Sequence, residues 1–394
     1  MEGTDLRILY HHRTQAEDGQ AVHIRSLIEA LVAEGHEVRE EALVRRTGEG
    51  SSPSVRPAES GSGRRWSVLG HLPRFVRELA EYAYAVPARR KLIAAGREFK
   101  AQCLYERYAF GNTAGVSAAK QLGLPLVLEV NSPMVLELSK TRGLSFPRMA
   151  HKTERWIFQH ADRVCVVTQV LADMLMEMGV EAERLFVAPN GVHLDAYENR
   201  DPVAARSDLG IESVEGPVLG FVGYYRPWHR LDLVVEGLAS PELSRAHLVL
   251  IGEGPAEQAL RDQAQGCGVA DRVHFAGPRS HAEVPALLPA FDVGLVPAIN
   301  PYASPLKLHE YMAASLPTVA PDQPNLREVL TSGEQALLFA PGDGDDLCSA
   351  LVQLVGDASL RLRMGQCARE TLLERDLTWR GNARRVMAAL EGCV

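Results

Sequence analysis

The sequence predicts a two-domain α/β protein, with two doubly wound parallel sheets facing one another across a cleft. Three observations predict it. The chain has 394 residues, more than a single hydrophobic core usually serves, so two domains are expected. Short apolar strands alternate with amphipathic helices along the whole length, the pattern of parallel sheets covered on both faces. The alternation halts at a polar stretch, ENRDPVAARSDLGIESVEG, and then restarts. The expected divisions are residues 1–195, 196–376 and a terminal segment, 377–394.

The first unit opens on the strand RILYHH, the polar loop RTQAEDGQ and the segment AVHIRSLIEALVAEGHEV. There Val22, Ile24, Leu27, Ile28, Leu31 and Val32 keep a helical spacing, and Gly35 stands where a helix ends. The strand segment CLYERYAFG, the helix AGVSAAKQLG, the strand PLVLEVN, a helix around HKTERWIFQHA, the strand DRVCVVT, the helix VLADMLMEMG and the strand RLFVAPNG follow. The second unit reads PVLGFVG (strand), LDLVVEGLA (helix), HLVLIGEG (strand), AEQALRDQAQGCG (helix) and RVHFAG (strand). SHAEVPALLPAF then begins with a capping box, Ser280 and Glu283. The strands DVGLVPA, LPTVAPD and ALLFAP complete it, with SPLKLHEYMAASLPT supplying a helix between the first two. In that helix Ser304 suits the N-cap and Pro305 the first helical position.

Two segments stand outside the alternation. Residues 47–63, rich in Gly, Ser and Pro, read as a mobile loop. Residues 64–100 carry nine Lys/Arg against three Glu, interleaved with Trp66, Leu69, Phe75 and Tyr82. Such helices either lie on an anionic membrane surface, giving peripheral contact, or pack on the first sheet with a solvated basic face. The net charge of -8 argues against a nucleic-acid-binding protein. Six scattered cysteines without a C-x-x-C pair point to neither zinc nor a dithiol motif and fit free thiols in a cytoplasmic protein. The longest charge-poor run, PALLPAFDVGLVPAI, contains Asp292 and two internal prolines and is no membrane span.

Open α/β sheets bind ligands outside the carboxyl ends of their strands, so the candidate residues are those in the following loops. The helix start at Ser304, Pro305, Leu306 and Lys307 offers unpaired backbone N–H groups, the positive end of a helix dipole and an ammonium, with Glu310 on the same face as Lys307. An anion docks there, or the motif is an ordinary helix start. GFVGYYRPWHRLDL places Arg226, His229 and Arg230 within seven residues of Gly223, as a phosphate-binding loop or an exposed basic one. LVLIGEGPAEQAL has a G-x-G at Gly252 and Gly254, but Glu257 replaces the third glycine and no acid ends the next strand, which excludes NAD and leaves a tight, phosphate-approaching turn. On the first unit, Gly19 permits close backbone approach, and Glu106, Arg107, Glu129, Asn131 and Pro133 lie at strand ends.

Taken in order, ADRVCVVTQVLADMLMEMGV, RLFVAPNGVHLDAY, FVGYYRPWHRLDLVVEGL, LVLIGEGP, VHFAGPRSHAEVPALLPAFDVGLVP and SPLKLHEYMAASLPTVAPD resemble a family 4 glycosyltransferase of the GT-B fold across nearly the whole chain. The resemblance implies transfer of a sugar from a nucleotide-sugar, a UDP-sugar foremost, to an acceptor with retention of anomeric configuration. It implies no metal and no further cofactor. Leu306 and Lys307 would hold the donor diphosphate, Glu310, about 4.5 Å further along the axis, would accept the ribose hydroxyls, and the base would lie near Gly277, Pro278 and Arg279. DLTWRGNARRVMAALEG resembles the family's last helix, which returns to the first domain.

The chain also departs from the family pattern. Tyr302 replaces the first of two glutamates often found around this helix, Tyr224 replaces a usual Arg, His229 a usual Lys, and Arg230 a common Gly. Arg226 or Arg230 is expected to supply the missing charge. Asn131 stands where an active-site histidine is frequent. The expected chemistry is front-face attack, with charge stabilisation by Arg226, Arg230 and Lys307. A lipid-linked or glycan acceptor in polysaccharide or glycolipid assembly, and a soluble small molecule or secondary metabolite, are both open. Sugar-nucleotide epimerisation and an inactive nucleotide-sugar-binding scaffold are the readings from other classes.

Overall fold

The computed structural model describes residues 5–14, 19–42, 73–198, 201–391 and 393. The chain divides into two compact units, one taking the described residues through Pro189 and again from Trp379 onward, the other Asn190–Thr378. The divisions expected at 195/196 and 376/377 therefore fall at 189/190 and 378/379. The physical reason is packing: Val192, Tyr197 and Leu377 are buried in the core of the second unit, and Val192 pairs with Thr378. The expected loop at 47–63 and residues 64–72 of the basic segment lie outside the described residues.

In the first unit β1 (Arg7–His12), β2 (Glu37–Ala42), β3 (Cys103–Arg107), β4 (Leu126–Val130), β5 (Arg163–Val166) and β6 (Leu185–Val187) form one sheet in the order β2-β1-β3-β4-β5-β6. Every neighbouring pair is parallel. Strands β3 and β4 are buried at every position, as expected where helices cover both faces. The helix Trp379–Leu390 packs on the helix Gly19–Ala33. Arg380 and Arg384 both reach Glu34, and Trp379 meets the His23 ring edge-on.

The described part of the basic segment forms two helices, Arg74–Ala83 and Ala85–Phe99. The second buries Ala88, Leu92 and Ala95 and packs on the helix Ala114–Leu122 and on β1. The first leaves Phe75 and Leu79, one turn apart, about half exposed. Its Glu78 is buried and accepts from the Ser145 and Phe146 N–H groups, where the helix Pro147–His160 begins. Part of the basic charge is engaged within the unit, where Lys91 pairs with Glu41.

The second unit repeats the plan with β7 (Val218–Val222), β8 (His247–Ile251), β9 (Val273–Gly277), β10 (Val293–Leu295), β11 (Thr318–Pro321) and β12 (Ala336–Phe339), in the order β12-β11-β10-β7-β8-β9. The chain builds outward from β7 through β8 and β9, then restarts at β10 on the other side, so the switch in strand order lies between β7 and β10. That is where an open α/β sheet leaves a crevice. The helix Leu306–Ala313 sits there because Tyr311 packs where a Cβ on Gly294 would stand and its hydroxyl accepts the Val222 N–H at 3.1 Å.

Candidate active site

At the carboxyl edge of the second sheet the loop after β7 and the helix after β10 meet at Lys307. Its Nζ lies 3.7 Å from the centre of the Phe221 ring, a cation–π contact. Gly223, with φ of +139°, makes the approach possible, because a Cβ there would stand 3.1 Å from Nζ. Burial lowers the Lys307 pKa from its ordinary 10.5 to about 7, with Glu310 opposing the shift. Lys307 is thus a partly desolvated amine without an ion pair among the described residues. Leu306 and Lys307 are the first helical residues, and their N–H groups accordingly lack intrahelical acceptors.

The cap is not the expected one. The helix begins at Leu306 with Pro305 as its N-cap, while the Ser304 hydroxyl accepts the Asn190 N–H at 3.1 Å. Ser304 therefore ties the loop down, and Asn325 supports it from below by donating to the Asn300 and Ala303 carbonyls. The expected capping box also changes: the Ser280 N–H and hydroxyl both donate to Glu283, closing a turn, and the helix starts only at Val284. Pro285 accounts for the delay, since its fixed φ suits the first turn of a helix.

The arginines separate. Arg230 adopts the left-handed conformation, φ of +54°, and its guanidinium engages Asp232 at 3.1 Å, so it is not the free charge expected of it. Arg226 is exposed, has no acidic partner among the described residues and lies over the Tyr224 ring at 4.8 Å. Tyr224 thus supports a cation two residues further on. His229 is not a charge-bearing substitute for lysine. It is buried against Phe221 and Trp228, and burial, followed by the nearby Lys307, pulls its pKa down to about 3.

Gly252 and Gly254 are required by the protein's own packing. A Cβ on Gly252 would stand 2.0 Å from the Gly223 carbonyl oxygen, and one on Gly254 would stand 2.4 Å from the Tyr225 nitrogen. Their smallness lets the β8 loop stack on the β7 loop, where the Tyr225 N–H donates to the Glu253 carbonyl at 2.7 Å. Gly277 ends β9 with open space around it, followed by the exposed Pro278 and the half-buried Arg279, whose guanidinium reaches the Pro278 and Asp208 carbonyls. Glu310 is buried at 4% exposure, and its Oε1 lies 2.6 Å from Nε2 of His281. Nothing in the periodicity of the sequence singles out His281, which stands in a turn; Phe221 read there as an ordinary strand residue.

The first unit holds a second polar cluster, under the carboxyl ends of β1, β3 and β4. Glu129 is buried and accepts from Arg107, Asn131 and, at 2.8 Å, the Tyr105 hydroxyl, with His23 at 3.2 Å. Burial alone would raise its pKa, but His23 and Arg107 outweigh burial and hold it well below the usual carboxylate range. Asn131 therefore has its amide nitrogen committed, while its Oδ1 is an enclosed acceptor with no partner among the described residues. His11 Nδ1 lies 2.6 Å from Glu106, which also accepts from Asn112. Gly19 is the exposed first residue of the helix Gly19–Ala33.

Residues 18–196 match the family model described as Glycosyltransferase Family 4, and residues 216–357 match Glycosyl transferases group 1. The chain is 28% identical over 306 residues to D-inositol 3-phosphate glycosyltransferase of Stackebrandtia nassauensis, covering 73% of this chain and 67% of that enzyme. The corresponding Nocardia farcinica enzyme is 31% identical over 222 residues, 54% of this chain and about half (49%) of the relative's own length. This chain is also 26% identical over 270 residues to 2-deoxystreptamine glucosyltransferase of Streptomyces kanamyceticus, covering 66% of this chain and 69% of that one. Among solved structures, Anabaena HepE in complex with UDP aligns over 98% of this chain and 100% of its own, with TM-score 0.73 and 18% identity. Sucrose-phosphate synthase from Thermosynechococcus elongatus aligns over 98% and 99%, with TM-score 0.75 and 19% identity.

Proposed function

Since the chain belongs to glycosyltransferase family 4 and has the GT-B fold, we propose that it transfers a sugar from a UDP-sugar to a small polyhydroxylated acceptor with retention of configuration. The observation that carries the donor assignment is the partly desolvated Lys307 at a helix start beside the switch in strand order. UDP as the nucleotide is supported by the UDP bound in Anabaena HepE. The Leu306 and Lys307 N–H groups and the Lys307 ammonium hold the diphosphate, with Arg226 as the second cation. Protein charge does this work without metal. Glu310 accepts ribose hydroxyls, and the Gly277–Arg279 turn borders the base.

The reaction we propose is front-face displacement. The acceptor oxygen bonds to the anomeric carbon as the bond from that carbon to the diphosphate oxygen breaks. The proton of the acceptor hydroxyl passes to the departing phosphate oxygen. The protein's part is to bind and orient the reactants and to stabilise the charge growing on the diphosphate, an effect worth about 2.7–4 kcal/mol for a single well-placed donor.

A small acceptor is supported by the sequence relatives named for D-inositol 3-phosphate and 2-deoxystreptamine. A membrane-presented acceptor is the second reading, favoured by Phe75 and Leu79 exposed together on the helix Arg74–Ala83. Among the described residues no helix is long and apolar enough to cross a membrane, so that reading rests on surface contact alone. The family match favours sugar transfer over the epimerase and inactive-scaffold readings.

The test is transfer from UDP-, GDP-, ADP- and dTDP-sugars to myo-inositol, inositol phosphate and 2-deoxystreptamine without added metal, with product configuration read by NMR. A UDP-sugar is expected to serve, giving a product of the donor's own anomeric configuration. An inverted product would refute front-face attack. Transfer confined to vesicle-borne lipid acceptors would favour the second reading.

A further inference from the structure

Glu310 is enclosed, yet its partner in the fold is open. The His281 side chain is 40% exposed and the Glu310 side chain 6%, and they meet at 2.6 Å through His281 Nε2 and Glu310 Oε1. An ionised carboxylate only accepts hydrogen bonds, so the imidazole nitrogen is the donor. Glu310 lies within the helix Leu306–Ala313, one turn after its first residue. His281 belongs to neither that helix nor a strand. It sits in the turn between β9 and the helix Val284–Leu287, which is closed by the Ser280 N–H and hydroxyl donating to Glu283 and by the Glu283 N–H donating to the Ser280 carbonyl. That turn carries the imidazole from the β9 edge to the carboxylate.

A carboxylate offers about four acceptor positions. His281 takes one on Oε1, and Oε2 accepts no protein hydrogen bond among the described residues. Without His281, a glutamate side chain would hold this carboxylate through three freely turning bonds, and ordering it would fall to the ligand. We propose that His281 is a positioning residue for the donor: it locks the Glu310 carboxylate so that the open oxygen meets the ribose hydroxyls, and it thereby sets the preference for ribonucleotides over 2′-deoxyribonucleotides. This rests on the reading that Glu310 binds the ribose. His281 does not block that role, because one carboxylate oxygen can accept from the imidazole while the other accepts from the sugar.

The experiment is calorimetric binding of UDP and 2′-deoxy-UDP to the whole protein, with GDP, ADP and their 2′-deoxy forms alongside. Wild type is compared with His281→Ala, His281→Gln and Glu310→Ala, and far-UV circular dichroism and thermal unfolding check that each variant is folded. Wild type is expected to prefer the ribonucleotide by about tenfold or more, the value of one hydrogen bond to a charged group. Glu310→Ala should bring the ratio close to one, His281→Ala should lower it several-fold, and His281→Gln, which keeps an N–H donor, should restore most of it. If Glu310→Ala loses the preference while His281→Ala keeps the wild-type ratio, His281 has no such role and the Glu310 reading stands. If His281→Gln behaves like His281→Ala, the hydrogen bond is not the cause. If wild type shows no preference, or binds none of these nucleotides, the Glu310 reading falls and this inference falls with it.

Discussion

Replacing Lys307 by methionine should stabilise the free protein while removing its donor affinity. Lysine is protonated in the unfolded chain below its ordinary pKa of 10.5, whereas burial pulls the folded value to about 7. Above pH 10.5 the group is neutral in both states and has no effect. As pH falls from there toward 7 the unfolded chain binds a proton that the folded chain does not, so the cost grows, and it levels off below about 7. At about 1.4 kcal/mol per pH unit, the full gap sets a ceiling of about 5 kcal/mol. The cation–π contact with Phe221 returns about 0.5–2 kcal/mol of this. Methionine keeps a similar length and a favourable sulfur contact with the ring; with the ceiling further discounted because the Lys307 side chain is only half-buried, a net gain of about 2–3 kcal/mol is expected at neutral pH. For a unit of this size that raises the unfolding temperature by roughly 5–10 °C, and the advantage should shrink near pH 10. The assay is thermal unfolding of both proteins at several pH values, followed by titration with UDP. A Lys307→Met protein that unfolds earlier than wild type at neutral pH would refute the desolvation argument. UDP affinity unchanged by the substitution would refute the donor assignment.

Three further outcomes are expected. UDP should bind more weakly as pH rises above about 7, by up to about tenfold per unit if only the charged lysine holds the diphosphate, and calorimetry in buffers of different ionisation enthalpy should show proton uptake on binding near that pH. Glu129→Gln should destabilise the first unit by about 3–5 kcal/mol, because it removes the charge opposite the buried Arg107; denaturant midpoints measure this. The stability Glu129 provides is present above the unfolded carboxyl pKa and is lost as pH falls through its depressed folded value, so the gap between wild type and variant should close in acid. Arg230→Gly should leave UDP affinity within about twofold and stability unchanged or slightly raised, since Arg230 is held by Asp232 in a left-handed conformation that glycine adopts freely, whereas Arg226→Ala should weaken UDP binding by about tenfold or more.

Much of the fold was legible because its signals are local. The strand patterns, the helical spacing from Val22 to Val32 and the polar interruption near residue 200 are one-dimensional, and the helix after Pro305 follows from backbone chemistry. Lys307 and Glu310 were legible as a pair because three residues in a helix share a face. Errors arose where a residue's role depends on another far along the chain. Ser304 serves Asn190 rather than its own helix, and Gly252 and Gly254 make room for the β7 loop, a packing role the sequence reading did not assign. Arg230 is the exception: its ion pair with Asp232 is local, but the left-handed turn that arranges it is not apparent from composition.

By itself, then, the sequence determined two doubly wound units, a helix start rich in donors and the cations near it, because hydrophobic periodicity and capping chemistry act over a few residues. Only the tertiary structure decided which cation is free, which histidine is neutral and which partner holds Glu310. Those properties depend on desolvation and on contacts between loops brought together by strand order: Lys307 over Phe221, His229 enclosed against Phe221 and Trp228, and His281 reaching the carboxylate from another turn.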